Sequence, residues 1–292
     1  MLILISDAFD NVLPGKLARF GEVTDDQARL PEADIVLIRS KTKCTKEWID
    51  QATNLKLIIR GGVGMDNIDR EYAASKGIKS VNTAAASAIA VAELSFALML
   101  AVPNRLIEGH NGMKEGKWLK KELKRTELFG KTLGLLGIGN IGTEVAKRAA
   151  AFGMKVIAYR QSDKPSAYAE IVANVDDLYA RADYISIHLP LNDASKGMID
   201  AAAIAKMKDG VIIVNTGRGK VVIEADLAAA LTAGKVAAYA ADVWYSDPPA
   251  DDCPLLHAPN VLMTPHIGAS TKENMGRIGE IAVQIISDFI KD

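Results

Sequence analysis

Short apolar runs alternate along the chain with segments of three- and four-residue periodicity. In the first third the runs are LILIS from Leu2, IVLIR from Ile35 and LKLIIR from Leu55. They are apolar at successive rather than alternate positions, which predicts strands buried on both faces of a parallel sheet covered by helices. The stretch AIAVAELSFALMLAVP predicts a buried helix near residues 88–102; Glu93 and Pro103 leave it short of a membrane span. A polar, basic segment, EGKWLKKELKRTELFGK, then reads as a connector between domains. The second half restarts with the strand TLGLLG, a helix from Ile141 to Phe152 and the strand KVIAY. The strands YISIH, VIIVN, AAYAAD and VLM follow, each before a turn or helix. This is the pattern of a doubly wound α/β domain. Near the C-terminus Met275, Ile278, Ala282, Ile285 and Phe289 recur at helical steps, an amphipathic helix whose spacing does not say which domain it covers.

A length of 292 residues suits two domains. Apolar residues at 49% and charged ones at 24% are ordinary for a globular chain. Thirty-five basic and 36 acidic residues leave a net charge of −1, which disfavours nucleic acid or an anionic membrane as partner. Two cysteines, Cys44 and Cys253, are too few and too distant for a disulfide framework or a cysteine zinc site. The opening MLILISDAFD lacks a basic n-region and reaches Asp7 and Asp10 too early for a secretory signal, so a cytoplasmic address is expected.

The sharpest local signal is GIGNIG, which places Gly137, Gly139 and Gly142 in G-x-G-x-x-G spacing between an apolar strand and a helix. In that setting glycines allow a tight turn, close approach of a pyrophosphate and close helix–strand packing, and the helix N-terminus offers its N–H groups to phosphate. Arg160 lies eighteen residues after Gly142, where a ribose-binding carboxylate is expected. A guanidinium there suits a 2′-phosphate, with Gln161 and Ser162 as neutral donors, so NADP(H) is favoured over NAD(H). FGKT at 129–132 is not the end of a P-loop, because its first glycine would have to be Arg125.

Three later strand ends carry the remaining polar candidates: VNTGRGK with Arg218, ADVWYSDPP with Asp242 and Asp247, and LMTPHIGAS with His266. With these in view, the chain resembles the D-isomer-specific 2-hydroxyacid dehydrogenase family over essentially its full length. RGGVGMDNIDREYAASKGI, VAELSFALMLA, GKTLGLLGIGNIG, HLPLN, NTGRG and TPHIGAST fit in the family's order and spacing. The resemblance implies a Rossmann cofactor domain, residues 98–269, inserted into a flavodoxin-like substrate domain of residues 1–97 plus 270–292. It implies a substrate cleft that closes by hinge motion, and a homodimer formed mainly through the cofactor domains. It also implies that His266 exchanges the proton, that a carboxylate orients it, and that Arg218 binds the substrate carboxylate and polarises the carbonyl. N–H groups of Gly62, Val63 and Gly64 would hold the other carboxylate oxygens, and Asp242 would accept from the nicotinamide carboxamide. Further cofactor contacts are implied for Asn140, Ile141, His188, Leu189, Pro190, Thr216, Gly217, His266 and Gly268. A plain structural hydrogen bond explains His188 nearly as well, and His110 and His257 fall in polar connectors.

The family motif is commonly D-V-F-x-x-E-P, whereas this chain reads DVWYSDP, so Asp247 stands at the glutamate position one methylene shorter. Asp251 and Asp252 are weaker candidates for the same role. No H-E-x-x-H, cysteine–histidine cluster or G-x-S-x-G is present, so neither a metal nor a serine nucleophile is expected. LILISDAFD, RSKTKCT and the basic connector are most similar to phosphoglycerate dehydrogenases. Arg39, Lys41, Lys43 and the cations of 117–125 could meet a substrate phosphate. The chain ends soon after its last helix, so control by serine through an appended regulatory domain is not expected. Phosphoglycerate dehydrogenase-like substrate recognition is the leading expectation, and Arg160, which pulls the other way, makes an NADPH-dependent glyoxylate or hydroxypyruvate reductase the alternative. A cofactor-sensing binding protein on the same scaffold is the non-enzymatic alternative.

Overall fold

The computed structural model describes residues 1–160 and 164–291, which form two compact α/β units. One unit comprises Met1–Ala90 and the chain from Ala269 onward, and the other comprises Val91–Gly268. The first crossing falls within a continuous helix at Ala90/Val91, ahead of the expected 97/98 boundary, and the return falls at Gly268/Ala269.

The first unit is a five-stranded parallel sheet of β1 (Leu2–Ile5), β2 (Glu22–Thr24), β3 (Ile35–Ile38), β4 (Leu57–Arg60) and β5 (Lys79–Asn82). Its order is β2-β1-β3-β4-β5, the flavodoxin-like arrangement, with the direction of winding reversing between β1 and β3. Three short helices intervene: α1 (Leu13–Leu17), α2 (Lys46–Gln51) and α3 (Arg70–Ser75). Thr45 and Asp69 cap the last two by accepting from the N–H groups of Trp48 and Tyr72. Alternate residues of the central strands serve opposite faces. Val36, Ile38 and Ile58 pack with Ala73 and Ile78, while Ile35, Leu37, Leu57 and Ile59 pack with Leu13, Leu17 and the C-terminal helix Lys272–Lys291. That helix therefore covers the first sheet. Its buried stripe runs through Ile278, Ala282, Val283 and Ile286, with Ile285 and Phe289 flanking it, one position off the line drawn from Met275. Burying Ile278, Val283 and Ile286 contributes about 1.5–3 kcal/mol each, and the single methyl of Ala282 less.

The second unit opens with α4 (Ala88–Ala101), which begins just before the crossing, and α5 (Leu106–Lys114). Its strands are β6 (Thr132–Leu136), β7 (Lys155–Tyr159), β8 (Glu170–Val172), β9 (Tyr184–Ile187), β10 (Val211–Asn215), β11 (Val236–Ala241) and β12 (Val261–Met263). The sheet is parallel throughout in the order β12-β11-β10-β9-β6-β7-β8, the Rossmann order with a seventh strand added. On one face α4 and α6 (Asn140–Ala151) bury Ala92, Phe96, Met99, Val145 and Ala149 against Leu133, Leu135 and Val214. On the other, α7 (Val175–Arg181), α8 (Ala201–Lys206) and α9 (Glu224–Thr232) cover Ile185, Ile187, Ile213 and Tyr239. The winding reverses between β6 and β9, so the segments leaving these strands border the crevice where such sheets receive ligands. No single described helix is long and apolar enough to cross a membrane.

Candidate active site

The turn between β6 and α6 is shaped by what a side chain would strike. Gly137 has φ +96°, and a Cβ there would lie 2.9 Å from the His188 carbonyl oxygen. A Cβ on Gly142 would lie 2.3 Å from the Gly137 carbonyl oxygen. Both glycines are demanded by the chain's own packing. Gly139 is different: its backbone is extended and nothing lies within 4 Å of the Cβ position. It leaves bare main chain facing open space, beside the first-turn N–H groups of Asn140 and Ile141, which receive no side-chain cap from it. This cradle fits the pyrophosphate of a dinucleotide. Arg160 directly follows β7, and the Gly137 N–H donates to the carbonyl of its neighbour Tyr159 at 3.0 Å. The Arg160 guanidinium donates to the Lys164 carbonyl at 3.4 Å. Gln161 and Ser162 lie outside the described residues.

Across the reversal point, His188 follows β9. Its N–H donates to the Leu136 carbonyl, and its Nε2 shares a 2.8 Å hydrogen bond with the Ser186 hydroxyl. Burial pushes its pKa down to about 4, so it is neutral at physiological pH. Leu189 and Pro190 continue the segment, and the Pro190 carbonyl accepts from the Ser195 hydroxyl at 2.6 Å. At the end of β10 the Thr216 hydroxyl is engaged by Ser95 at 2.8 Å. Fully buried Asn215 organises the turn bearing Arg218. It accepts from the Gly217 N–H at 3.0 Å and donates to the Arg218 carbonyl at 3.1 Å. Gly217 is obligatory there, since a Cβ would lie 2.8 Å from the Ile187 carbonyl oxygen.

The last two strands bring the acid–base candidates together. Asp242, 1% exposed after β11, accepts from the Thr264 hydroxyl at 2.7 Å and from the Ile267 and Gly268 N–H groups at 2.8 Å each. These donors belong to the turn after β12, where His266 takes a left-handed φ of +54°. The imidazole Nδ1 lies 2.5 Å from Asp247 Oδ2, so the shorter carboxylate does reach it. The pair is about half exposed and borders a pocket of about 370 Å³ lined chiefly by Trp244, Pro248, Pro249, Leu256, Met263 and Pro265.

In the first unit, the loop after β4 carries Gly62, Val63 and Gly64, and the Gly62 N–H donates to the Thr83 hydroxyl at 2.9 Å. Asn82 Nδ2 donates to the Val63 carbonyl at 2.6 Å and holds that loop. At the reversal point of this sheet, Asp7 accepts from the Arg39 and Thr42 N–H groups and the Thr42 hydroxyl, while Asn67 Nδ2 donates to the carbonyls of Arg39 and Thr42. Arg39 Nε is buried without a partner among the described residues. The organising residues Asn215, Thr264, Thr83 and Asn67 were not singled out from sequence. Their only signal is polarity at the end of an apolar strand or inside a glycine-rich loop. Among the described residues no group of three or more His, Cys, Asp or Glu is arranged to hold a metal.

A Rossmann sheet with a phosphate turn, an arginine and a carboxylate–histidine pair along its carboxyl edge defines a nicotinamide-dependent oxidoreductase. Residues 96–268 match the family model described as D-isomer specific 2-hydroxyacid dehydrogenase, NAD binding domain. The chain is 48% identical over 269 residues to a hydroxypyruvate reductase of Thermotoga maritima, covering 90% of this chain and 86% of that one. It is 43% identical over 267 residues to a D-3-phosphoglycerate dehydrogenase of Methanocaldococcus jannaschii, covering 90% of this chain but 51% of that longer protein. The fold superposes on D-lactate dehydrogenase from Aquifex aeolicus, complexed with NAD and lactic acid, with a TM-score of 0.88 at 30% identity, over 100% and 96% of the two chains. The chain belongs to the D-isomer-specific 2-hydroxyacid dehydrogenase family and is an oxidoreductase.

The glycine geometry separates binding from folding. Gly139→Ala is expected to unfold within about 0.5 kcal/mol of the parent, as for a surface change, yet to bind nicotinamide dinucleotide at least tenfold more weakly. Gly142→Ala is expected to lower the unfolding midpoint as well. Denaturation and calorimetric titration of the two variants measure both.

Proposed function

We propose that this protein interconverts a small D-2-hydroxy acid and its 2-oxo acid with NADP(H), running as a reductase on hydroxypyruvate or glyoxylate. The observation that carries the reading is the 2.5 Å Asp247–His266 pair standing on the same sheet edge as Arg218 and the Gly137–Gly142 turn. The bound dinucleotide would supply the hydride. Arg218, fixed through Asn215, binds the substrate carboxylate and draws electron density from the carbonyl oxygen. His266 donates a proton to that oxygen during reduction and removes it in the reverse direction. Asp247 orients the imidazole through its contact with Nδ1, leaving Nε2 for the proton transfer. Asn140 and Ile141 offer N–H groups to the pyrophosphate, and Asp242 keeps acceptor capacity for a carboxamide beside its three protein donors. The near-full-length likeness to a hydroxypyruvate reductase supports this substrate class.

A second reading, phosphoglycerate dehydrogenase-like recognition, is favoured by the first unit. There the partnerless Nε of Arg39, with Lys41 nearby in sequence and the Val63 and Gly64 N–H groups, suits an anion such as a substrate phosphate. We also assign a second copy of the chain to the exposed apolar side chains Leu106, Ile107, Met113 and Trp118 along α5 and the connector.

Steady-state assays with hydroxypyruvate, glyoxylate and 3-phosphoglycerate test the chemistry. His266→Ala and Arg218→Ala are each expected to lower kcat/KM at least a hundredfold, within the range for losing an acid–base or charge-stabilising group; unchanged turnover would place the site elsewhere. Arg160→Asp is expected to reverse a preference for NADPH over NADH. A parent enzyme that already prefers NADH would remove the role given to Arg160. Light scattering should give a dimer mass that Trp118→Asp combined with Leu106→Asp reduces to the monomer.

A further inference from the structure

The shorter carboxylate raises a question of reach. An aspartate in place of a glutamate gives up one C–C bond, about 1.5 Å. Asp247 nevertheless meets His266 Nδ1 at 2.5 Å, so the two loops must be held closer together than a glutamate would need. The contact that can hold them comes from the other unusual residue of DVWYSDP. Trp244 is 8% exposed, and its indole Nε1–H donates to the Thr264 carbonyl at 3.2 Å, bridging the loop of Asp247 to the strand end that leads into His266. Thr264 is thereby gripped twice, by Trp244 at its carbonyl and by Asp242 at its hydroxyl. The Trp244 main chain packs directly against Gly219, where a Cβ would fall 2.0 Å from the Trp244 carbonyl carbon and oxygen. Gly219 directly follows Arg218, so the same residue abuts the arginine turn.

We propose that Trp244 is a positioning residue whose indole N–H sets the spacing at which the short Asp247 carboxylate reaches His266, making Trp244 and Asp247 a matched pair. A phenylalanine fills much of the same space but has no donor. In such a background the loops relax apart, the aspartate falls short, and the longer glutamate becomes the better partner. The inference rests on the His266–Asp247 reading given above.

The test is a double-mutant cycle of Trp244→Phe and Asp247→Glu, read in two ways on the full-length protein. One readout is the His266 Nδ1–H resonance of ¹⁵N-labelled protein, which needs no substrate. The other is kcat and KM for hydroxypyruvate. Trp244→Phe is expected to move the resonance upfield, away from the strongly hydrogen-bonded region, and to lower kcat at least tenfold with KM within threefold. Adding Asp247→Glu should return the resonance and bring kcat back to within threefold of the parent. Where Trp244→Phe does not fold, Trp244→benzothienylalanine removes the N–H while keeping the ring shape. A resonance unmoved by either variant, or losses that simply add in the double variant, would overturn the proposal. His266→Ala run alongside keeps the two readings distinct. Retained turnover in that variant sinks the catalytic reading, whereas its loss with an unmoved resonance in Trp244→Phe sinks this one alone.

Discussion

A carboxylate that is 1% exposed is tolerated only where donors replace the water it has lost. Asp242 meets that condition with one hydroxyl and two main-chain N–H groups, all supplied by residues 264–268. The turn around His266 is thus the solvation shell of Asp242 as much as a carrier of the imidazole. The constraint explains two features that are otherwise unfavourable. His266 is held at φ +54°, a region that non-glycine residues seldom occupy. Gly268 is crowded by the same carboxylate, since a Cβ would come within 2.9 Å of Oδ2. With an apolar residue at position 242 the turn carrying His266 would lose three of its hydrogen bonds, leaving contacts such as the Asp247 pair and the Trp244–Thr264 bond to hold it.

Much of the framework was legible from the chain. Successive apolar residues such as Ile35–Ile38 are buried on both sides, and no exposed-face pattern competes with that reading. The strands that the apolar pattern misses, β2, β5 and β8, are half-exposed edges of their sheets; EVT, KSVN and EIV lack the apolar continuity that marks the centre. The glycine turn was legible because two of its glycines answer to local sterics. The fate of polar groups was not, because it depends on neighbours distant in sequence. Thr83 claims the Gly62 N–H across 21 residues and Ser95 engages Thr216 across 121, and no spacing rule foretells either. The motif suggests Asp247 as the partner of His266, but whether an aspartate spans the gap depends on how close the two loops lie, which no spacing along the chain encodes.

The glycines of the β6–α6 turn and the arginine after β7 differ in how freely they can change. Gly137 and Gly142 are bound to main-chain atoms, so altering them disturbs strand ends and helix together. Arg160 is a side chain on the carboxyl end of β7, outside the buried clusters of the sheet. Charge at that position can vary without touching the core of the sheet.

The interrupted course of the first unit bears on how the molecule is made. Its sheet takes part of its cover from Ala282, Val283 and Ile286, yet residues 91–268 are synthesised before that cover exists. At about 5–20 residues per second, those 178 positions occupy a ribosome for roughly 9–36 s. Through that interval Ile35, Leu37, Leu57 and Ile59 lack their covering helix, while the later unit already has every strand of its own sheet. The portion translated first is therefore the portion finished last. A nascent chain of this design presents a sticky, half-built sheet to chaperones and to neighbouring polypeptides until its final turns emerge.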